Sequence, residues 1–126
     1  MVRADPVEGG EPAPIDTGRF VDNNNDHGLS PDGRQLVISD QIEPDILSRI
    51  HVVTLDGAAP VRTLVDDRAA RSYWHGWSPD GKSVYALVEQ SLVTLLSRID
   101  LADGKVTPLT RGPRFDYDLD VSRDGR

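Results

Sequence analysis

The sequence predicts an all-β fold, an incomplete β-propeller of about three four-stranded antiparallel blades. A nine-residue unit occurs three times, at residues 26–34, 74–82 and 118–126. Its serines, Ser30, Ser78 and Ser122, stand 48 and 44 residues apart, near the roughly 40 to 50 residues of a propeller blade. No stretch combines helical periodicity with capping residues. Repetition at this period therefore predicts an array of β-sheets.

Each unit contains a hairpin corner. Serine suits the first position of a type I turn, proline the second and glycine the fourth; the residues are Ser30, Pro31, Asp32 and Gly33, then Ser78, Pro79, Asp80 and Gly81. We expect positive φ at both glycines. The third unit has Arg123 in place of proline but keeps Asp124 and Gly125. An apolar residue precedes each turn, and we expect Trp77 to lie in the core between two blades.

The spacing divides the chain into four parts. Residues 22–66 and 70–111 are two complete blades, residues 1–17 form the outer hairpin of a truncated blade, and residues 115–126 begin a further one. Outer hairpins are predicted around Gly9-Gly10, Asp56-Gly57 and Asp103-Gly104, which are turn-forming pairs. Residues 40–45 are a predicted surface loop. The corresponding run at 90–96 is apolar. It fits either a strand buried on both faces or an exposed edge strand that tends to associate with other chains.

Composition excludes several classes of protein. The chain has 126 residues and a net charge of −7, which argues against nucleic-acid binding because that requires a basic patch. No apolar run approaches the 18 or so residues of a membrane span. The N-terminus lacks the apolar core of a secretory signal. The chain has no cysteine, so disulfides and thiolate metal sites are ruled out.

Two histidines are candidates for a functional site. His27 and His75 each stand three residues before a corner serine, so the sequence predicts that they lie at the same height on innermost strands that line a central channel. Two imidazoles are part of a metal or acid-base constellation. The third unit has Leu119 at the equivalent place, but Asp118 and Asp120 flank it and could supply oxygen. Asp26 and Asp118 are further candidates for binding residues that face the channel. The alternative is that each histidine holds one blade to the next. His51, on an outer strand, is expected to be structural.

Aromatic residues give a second candidate feature. Tyr73 and Trp74 precede the predicted channel strand and fall near the channel mouth, where aromatic anchors serve peptides or sugars. Packing against the adjacent loop is the alternative. The corner serines are not catalytic candidates, because Gly76-Trp77-Ser78-Pro79-Asp80 builds a β-turn rather than the strand-to-helix elbow of a hydrolase nucleophile.

The corners resemble the WD40-like (PD40) repeats of TolB-type β-propellers. The resemblance rests on residues 30–34 and 78–82, on the outer hairpins that follow them, and on the strings Asn23-Asn24-Asn25-Asp26-His27-Gly28 and Tyr73-Trp74-His75-Gly76-Trp77. These strings are similar to a subgroup of periplasmic or exported propellers. The resemblance implies a module that binds protein or peptide partners without a cofactor, either with further blades or with self-association to close the propeller.

An enzyme is the alternative that the resemblance leaves open. One form is a propeller lyase that acts on oligosaccharides through channel histidines and a divalent metal. The other is the propeller of a serine peptidase whose catalytic domain lies outside this sequence. Because the same corners occur in binding proteins and in enzymes, the sequence predicts the fold more firmly than the activity.

Overall fold

The structure is a computed structural model that describes residues 1–42, 47–65, 70–112 and 119–125. Its strands form three antiparallel sheets. The N-terminal hairpin consists of β1 (Arg3–Ala4) and β2 (Ala13–Pro14). The first sheet has the order β3 (Asn23–Leu29), β4 (Gln35–Ile42), β5 (Leu47–Thr54) and β6 (Arg62–Thr63). The second sheet has the order β7 (Ala70–Trp77), β8 (Ser83–Gln90), β9 (Val93–Asp100) and β10 (Val106–Pro108).

The corner units form the same turn each time they occur. At the first, the Gly33 amide donates to the Ser30 carbonyl at 2.8 Å, and the Ser30 hydroxyl lies 2.6 Å from Asp32 Oδ1. The second turn repeats these bonds through Ser78, Asp80 and Gly81 at 2.6 and 2.9 Å. The φ angles of Gly33 and Gly81 are 70° and 69°, positive as the sequence predicts. Side chain and backbone together thus join the first two strands of each sheet.

The N-terminal hairpin is shorter than the sequence suggests, since only two residues pair on each side. Pro6 and Pro12 lie in the segments that flank the paired residues, and Pro14 lies within β2; proline cannot donate a ladder hydrogen bond. The hairpin is nevertheless anchored, because Val2 and Phe20 are buried against Leu36, Ile38 and Val53 of the first sheet.

The main core lies between the two four-stranded sheets. Its buried members are Val37, Ile50, Val52 and Leu64 from the first sheet and Trp77, Val84, Ala86 and Ile99 from the second. Trp77 is only 8% exposed, and its Nε1 donates to the Gly28 carbonyl across the interface at 3.1 Å. The prediction that Trp77 belongs to the core between sheets is confirmed.

The apolar run at 90–96 contains a tight turn and a strand. β8 ends at Gln90, and β9 begins at Val93. The two residues between them, Ser91 and Leu92, form the turn. Ser91 and Leu92 have φ of 52° and 63°, the left-handed pair that a two-residue hairpin of this type requires. Residues 93–96 are half-buried, so neither predicted alternative describes them fully. In the first sheet, Asp40 to Ile42 belong to β4 rather than to a loop, and residues 43–46 lie outside the described residues.

The architecture is that of an incomplete β-propeller. Every described regular element is a strand, all pairing is antiparallel, and the sheets do not close into a barrel. Across residues 1–42, 47–65, 70–112 and 119–125, no helix is long and apolar enough to cross a membrane. The two four-stranded sheets pack face to face. β3 is an edge strand of the first sheet, and β7 is an edge strand of the second.

Candidate functional site

The histidines predicted to line a channel both lie on edge strands, but their backbones differ. His27 pairs with Ile38 in β4 as part of a regular ladder beside Gly28 and Leu29. His75 is the extra residue of a β-bulge, because Trp74 pairs with Ala86 and Gly76 pairs with Tyr85. A bulge re-aims the side chain it contains. The two histidines stand at equivalent places in the sequence, but His27 lies in a regular part of its strand and His75 lies in a bulge. Their backbone pairing therefore differs, and their equal height in a channel stays a prediction.

β3 is also irregular, in the segment before His27. Asn23 pairs with Asp40, and the register then shifts before His27 pairs with Ile38. Within this segment the Asp26 amide donates to Asn24 Oδ1 at 2.9 Å. Asp26 is half-buried and His27 is exposed. Both edge strands therefore depart from regular pairing where the candidate residues lie.

The predicted metal constellation is not assembled by the residues that the structure describes. Among them, no group of three or more histidine, aspartate or glutamate side chains is arranged to hold a metal ion. The candidate Asp118 lies outside the described residues. His51 is fully buried on β5, where its Nδ1 lies 3.0 Å from Thr63 Oγ1 and its ring stacks on Phe20 at 3.8 Å. That environment matches the structural role expected of His51.

The two candidate aromatic residues have different surroundings. Tyr73 is half-buried and pairs with Leu87. Trp74 lies across the interface between sheets, where its backbone amide donates to Ser39 Oγ at 3.0 Å and its indole covers Gly28. Its Nε1 is buried and has no hydrogen-bond partner within the described part of the chain. Trp74 therefore supports the interface, while Tyr73 leaves part of its ring accessible.

Sequence reasoning missed the two glycines that follow the histidines. A Cβ at Gly28 would come 2.2 Å from Trp74 Cη2, and a Cβ at Gly76 would come 2.6 Å from Val121 Cγ2. Real Cβ atoms do not approach that closely, so any side chain here would displace the next repeat. The signal was present in the sequence, since His27-Gly28 and His75-Gly76 repeat together at the same spacing.

Buried serines near the same strands were also missed. Ser48 Oγ donates to the Ser72 carbonyl at 2.8 Å and accepts from Asn24 Nδ2 at 3.2 Å. These bonds join β3, β5 and β7, the three strands that meet at this end of the interface. They fix the irregular part of β3 against the neighbouring sheet. A lone serine in a β-strand gives no sequence signal of such a role.

Asp40 lies on β4 near these strands and is 2% exposed, and its pKa is shifted from the ordinary value. Burial raises the pKa of its carboxyl, and the nearby charge of Asp22 adds to that increase. Asn23 Nδ2 donates to Asp40 Oδ2 at 3.1 Å. The corner aspartates behave in the opposite way, because hydrogen bonds from the serine hydroxyls lower the pKa of Asp32 and Asp80. Asp40 is thus the described carboxyl whose charged form the fold disfavours.

A cavity of about 880 Å³ lies elsewhere, between the N-terminal hairpin and the outer strands of the first sheet. Its walls include Ile15, Arg19, Phe20, Pro60 and Val61. None of the candidate residues that the structure describes lines it. The cavity is therefore a feature of the outer rim and not part of the edge formed by β3 and β7.

The chain is similar to a known protein in sequence and to a solved structure in sequence and fold. No family model matches the sequence. The chain is 41% identical over 120 residues to an uncharacterized protein of Agrobacterium fabrum, covering 93% of this chain and 39% of the relative. It superposes with a TM-score of 0.82 and 37% identity on a solved structure from Agrobacterium tumefaciens that is described provisionally as TolB, covering 94% of this chain and 41% of that one. The chain spans about two fifths of the length of both, and its fold is that of a TolB-like β-propeller.

Proposed function

We propose that this chain is a propeller module that binds a protein partner as an extended peptide segment along the edge of β3 and β7. The observation that supports the proposal most strongly is the paired irregularity of those strands. The register of β3 shifts before His27, and β7 bulges at His75. Bulges concentrate next to functional sites, where they re-aim side chains and stop a strand from pairing with another copy of itself.

The side chains at these positions suit a peptide ligand. His27 is exposed, while Asp26, Tyr73 and His75 are half-buried, so each leaves some surface for contact. An aromatic ring and imidazoles offer flat surfaces and hydrogen bonds to an extended backbone. Trp74 and the buried serines hold the two strands in place from behind. The surface is thus supported by rigid neighbours and is not itself core.

The negative charge of the chain indicates which peptides it would attract. The chain carries a net charge of −7, and Asp26 lies beside His27 on the proposed edge. A partner with lysine or arginine side chains would be drawn to this surface by long-range attraction. The proposed ligand is therefore an extended segment with basic residues, and its binding should weaken as salt screens the attraction.

A display selection tests the proposal and does not require the natural partner. Random twelve-residue peptides are selected on the unaltered chain alone, and the affinity of each selected peptide is then measured for the unaltered chain and for the His27→Ala/His75→Ala double variant. We expect the selected peptides to be enriched in lysine and arginine and to bind the double variant at least about tenfold more weakly, a loss of about 1.4 kcal/mol. His51→Ala is unsuitable as a control because His51 is core, so Arg98→Ala, on the exposed part of β9, serves instead.

Two results would contradict the proposal. One is a set of selected peptides that bind the double variant as tightly as they bind the unaltered chain. The other is equal loss of binding in the double variant and in Arg98→Ala. Circular dichroism of each variant establishes that the sheets remain folded, so a loss of binding can be attributed to the altered side chains.

A further inference from the structure

The outer rim between the two four-stranded sheets is closed. The Arg62 side chain of β6 donates to the Leu101 carbonyl of the second sheet. A Cβ built at Gly104 would come 2.6 Å from the Leu64 carbonyl oxygen, so the outer turn of the second sheet lies directly against the end of β6. The space left beside these residues is about 140 Å³, too small for a typical ligand site of about 300–1,000 Å³.

The equivalent rim between the N-terminal hairpin and the first sheet is open, and it holds the cavity of about 880 Å³. β2 consists of alanine and proline, so it has no long side chain to cross the gap as that of Arg62 does. The connection from β5 to β6, residues 55–61, is longer than the connection from β9 to β10, residues 101–105. Its Ala59, Pro60 and Val61 line the cavity. The open rim therefore has the volume of a small-molecule site.

A rigid turn carries Arg19 to the wall of this cavity. The Phe20 amide donates to the Thr17 carbonyl at 3.2 Å, and the Thr17 hydroxyl donates to the Phe20 carbonyl at 2.6 Å. Thr17 is buried, so water does not compete for these bonds. The Gly18 amide also donates to Asp16 Oδ1 at 2.8 Å. The backbone on both sides of Arg19 is thus fixed by hydrogen bonds.

The side chain of Arg19 is held by stacking. Its Cζ lies over the Phe20 ring, 5.1 Å from the centroid. Phe20 in turn stacks on His51 at 3.8 Å, and His51 Nδ1 lies 3.0 Å from Oγ1 of Thr63, a residue of the cavity wall. A guanidinium that stacks through its face keeps its in-plane N–H groups available for a bidentate acceptor. Among the residues that the structure describes, no carboxylate forms an ion pair with Arg19.

We infer that this cavity binds a small carboxylic acid with an apolar body, of the medium-chain fatty acid type. The carboxylate accepts hydrogen bonds from the guanidinium of Arg19, a charge-assisted contact whose fork geometry matches the acceptor. The apolar body packs on Ile15 and Val61 and covers Leu55, which is 39% exposed at the cavity. The site lies on the outer rim, and the inference does not depend on the proposed peptide-binding edge.

Charge distinguishes this class of ligand from its rivals. A cationic ligand would meet the positive charge of Arg19, while one carboxylate oxygen of Asp16 is already engaged by the Gly18 amide. The net charge of −7 repels anions at long range, but salt screens such repulsion beyond about 10 Å at 0.1 M. Arg19 acts at hydrogen-bond distance, where screening is weakest. A carboxylate is therefore the group that Arg19 fits.

Octanoate and octan-1-ol are the probes, because they share the apolar chain and differ in the charged group. Each is titrated into the unaltered chain while the methyl groups of Ile15, Val53 and Val61 are followed by nuclear magnetic resonance. We expect saturable shifts of these methyl groups with octanoate. Octan-1-ol should bind at least about tenfold more weakly, since it lacks the charge-assisted hydrogen bonds.

Two pairs of variants test the assigned contact. Arg19→Gln should weaken octanoate binding at least about tenfold and leave the affinity for octan-1-ol unchanged, whereas Arg98→Gln, on the exposed part of β9, should change neither. Ala59→Glu adds a negative charge at an exposed position of the cavity wall and should weaken octanoate binding, while the neutral Ala59→Gln should weaken it less. Circular dichroism verifies that each variant is folded.

A peptide with a free C-terminus offers the same anionic group, so acetyl-Ala-Leu-Leu is titrated as well. We expect it to bind more weakly than octanoate, because its amide groups would be buried without partners. The inference is overturned if this peptide binds more tightly than octanoate, if octan-1-ol binds as tightly as octanoate, or if Arg19→Gln leaves the octanoate affinity unchanged. It is also overturned if octanoate does not shift the methyl groups of Ile15, Val53 and Val61.

Discussion

The indole of Trp74 in the second sheet lies across Gly28 in the first, so closely that a Cβ at Gly28 would come 2.2 Å from Trp74 Cη2. We predict that Gly28→Ala lowers the free energy of unfolding by about 1–3 kcal/mol, the range found when extra atoms are forced into packed sites. Urea unfolding measures the loss. In a Trp74→Ala background the same change should cost much less, because the clashing ring is gone. Equal losses in both backgrounds would show that Trp74 does not occupy this position.

Equivalent positions in the repeat should contribute unequally to stability. Trp77→Ala removes a buried indole and the hydrogen bond to the Gly28 carbonyl, and we expect it to cost about 3–5 kcal/mol. Leu29→Ala alters an exposed side chain and should cost less than about 1 kcal/mol. Thermal and urea unfolding of the two variants provide the comparison. Comparable losses would contradict the open environment that the structure gives Leu29.

The first corner allows a clean test of turn conformation. Gly33 has φ of 70°, and no atom of the described residues lies within 4 Å of a Cβ built there, so a substitution meets backbone strain without a clash against them. Gly33→Val should cost more than about 1 kcal/mol, because β-branched residues rarely adopt positive φ. Gly33→Asn should cost less, since asparagine tolerates the left-handed region. Values within error of each other would indicate that the turn does not require this conformation.

Stability should depend on pH in opposite directions at two aspartates. The folded-state pKa of Asp40 lies above its ordinary value of 3.8, so its stabilising contribution is present below that value and is lost as pH rises through the raised pKa. The folded-state pKa of Asp80 lies below 3.8, so its contribution is present above that value and is lost as pH falls through the lowered pKa.

Neutral variants isolate these two effects. As pH rises from about 3 to about 7, the stability of the unaltered chain relative to Asp40→Asn should fall, while its stability relative to Asp80→Asn should rise. Urea unfolding across that range gives both slopes. Slopes of the same sign would mean that one of the two carboxyls has been assigned the wrong environment.

The repeated corner made the fold predictable from the sequence, because turn chemistry is local. Serine, proline, aspartate and glycine act within four residues, and the positive φ of Gly33 and Gly81 follows from their positions alone. The core position of Trp77 was also predictable, since apolar residues before a repeated turn must face another layer. Strand ends were predicted less well where prolines shortened the N-terminal hairpin and where Ser91 and Leu92 formed a turn without glycine.

The candidate site was harder to predict because it depends on contacts between sheets. The spacing of His27 and His75 suggested equivalence, but the bulge at His75 arises from pairing with β8 and leaves no signature in the spacing. The role of Gly28 depends on Trp74, a residue 46 positions later in the chain. The assignment of Asp118 remains a prediction of the sequence, as it lies outside the described residues.

Peptide binding at the edges of β3 and β7 can be mapped by adding a selected basic peptide to the isotope-labelled chain and recording backbone amide shifts in nuclear magnetic resonance spectra. We expect the largest shifts at residues 26–28 and 73–76, and we expect them to diminish as salt is added. Largest shifts at Phe20 and Val61, around the cavity of about 880 Å³, or shifts spread evenly over the chain, would contradict that expectation.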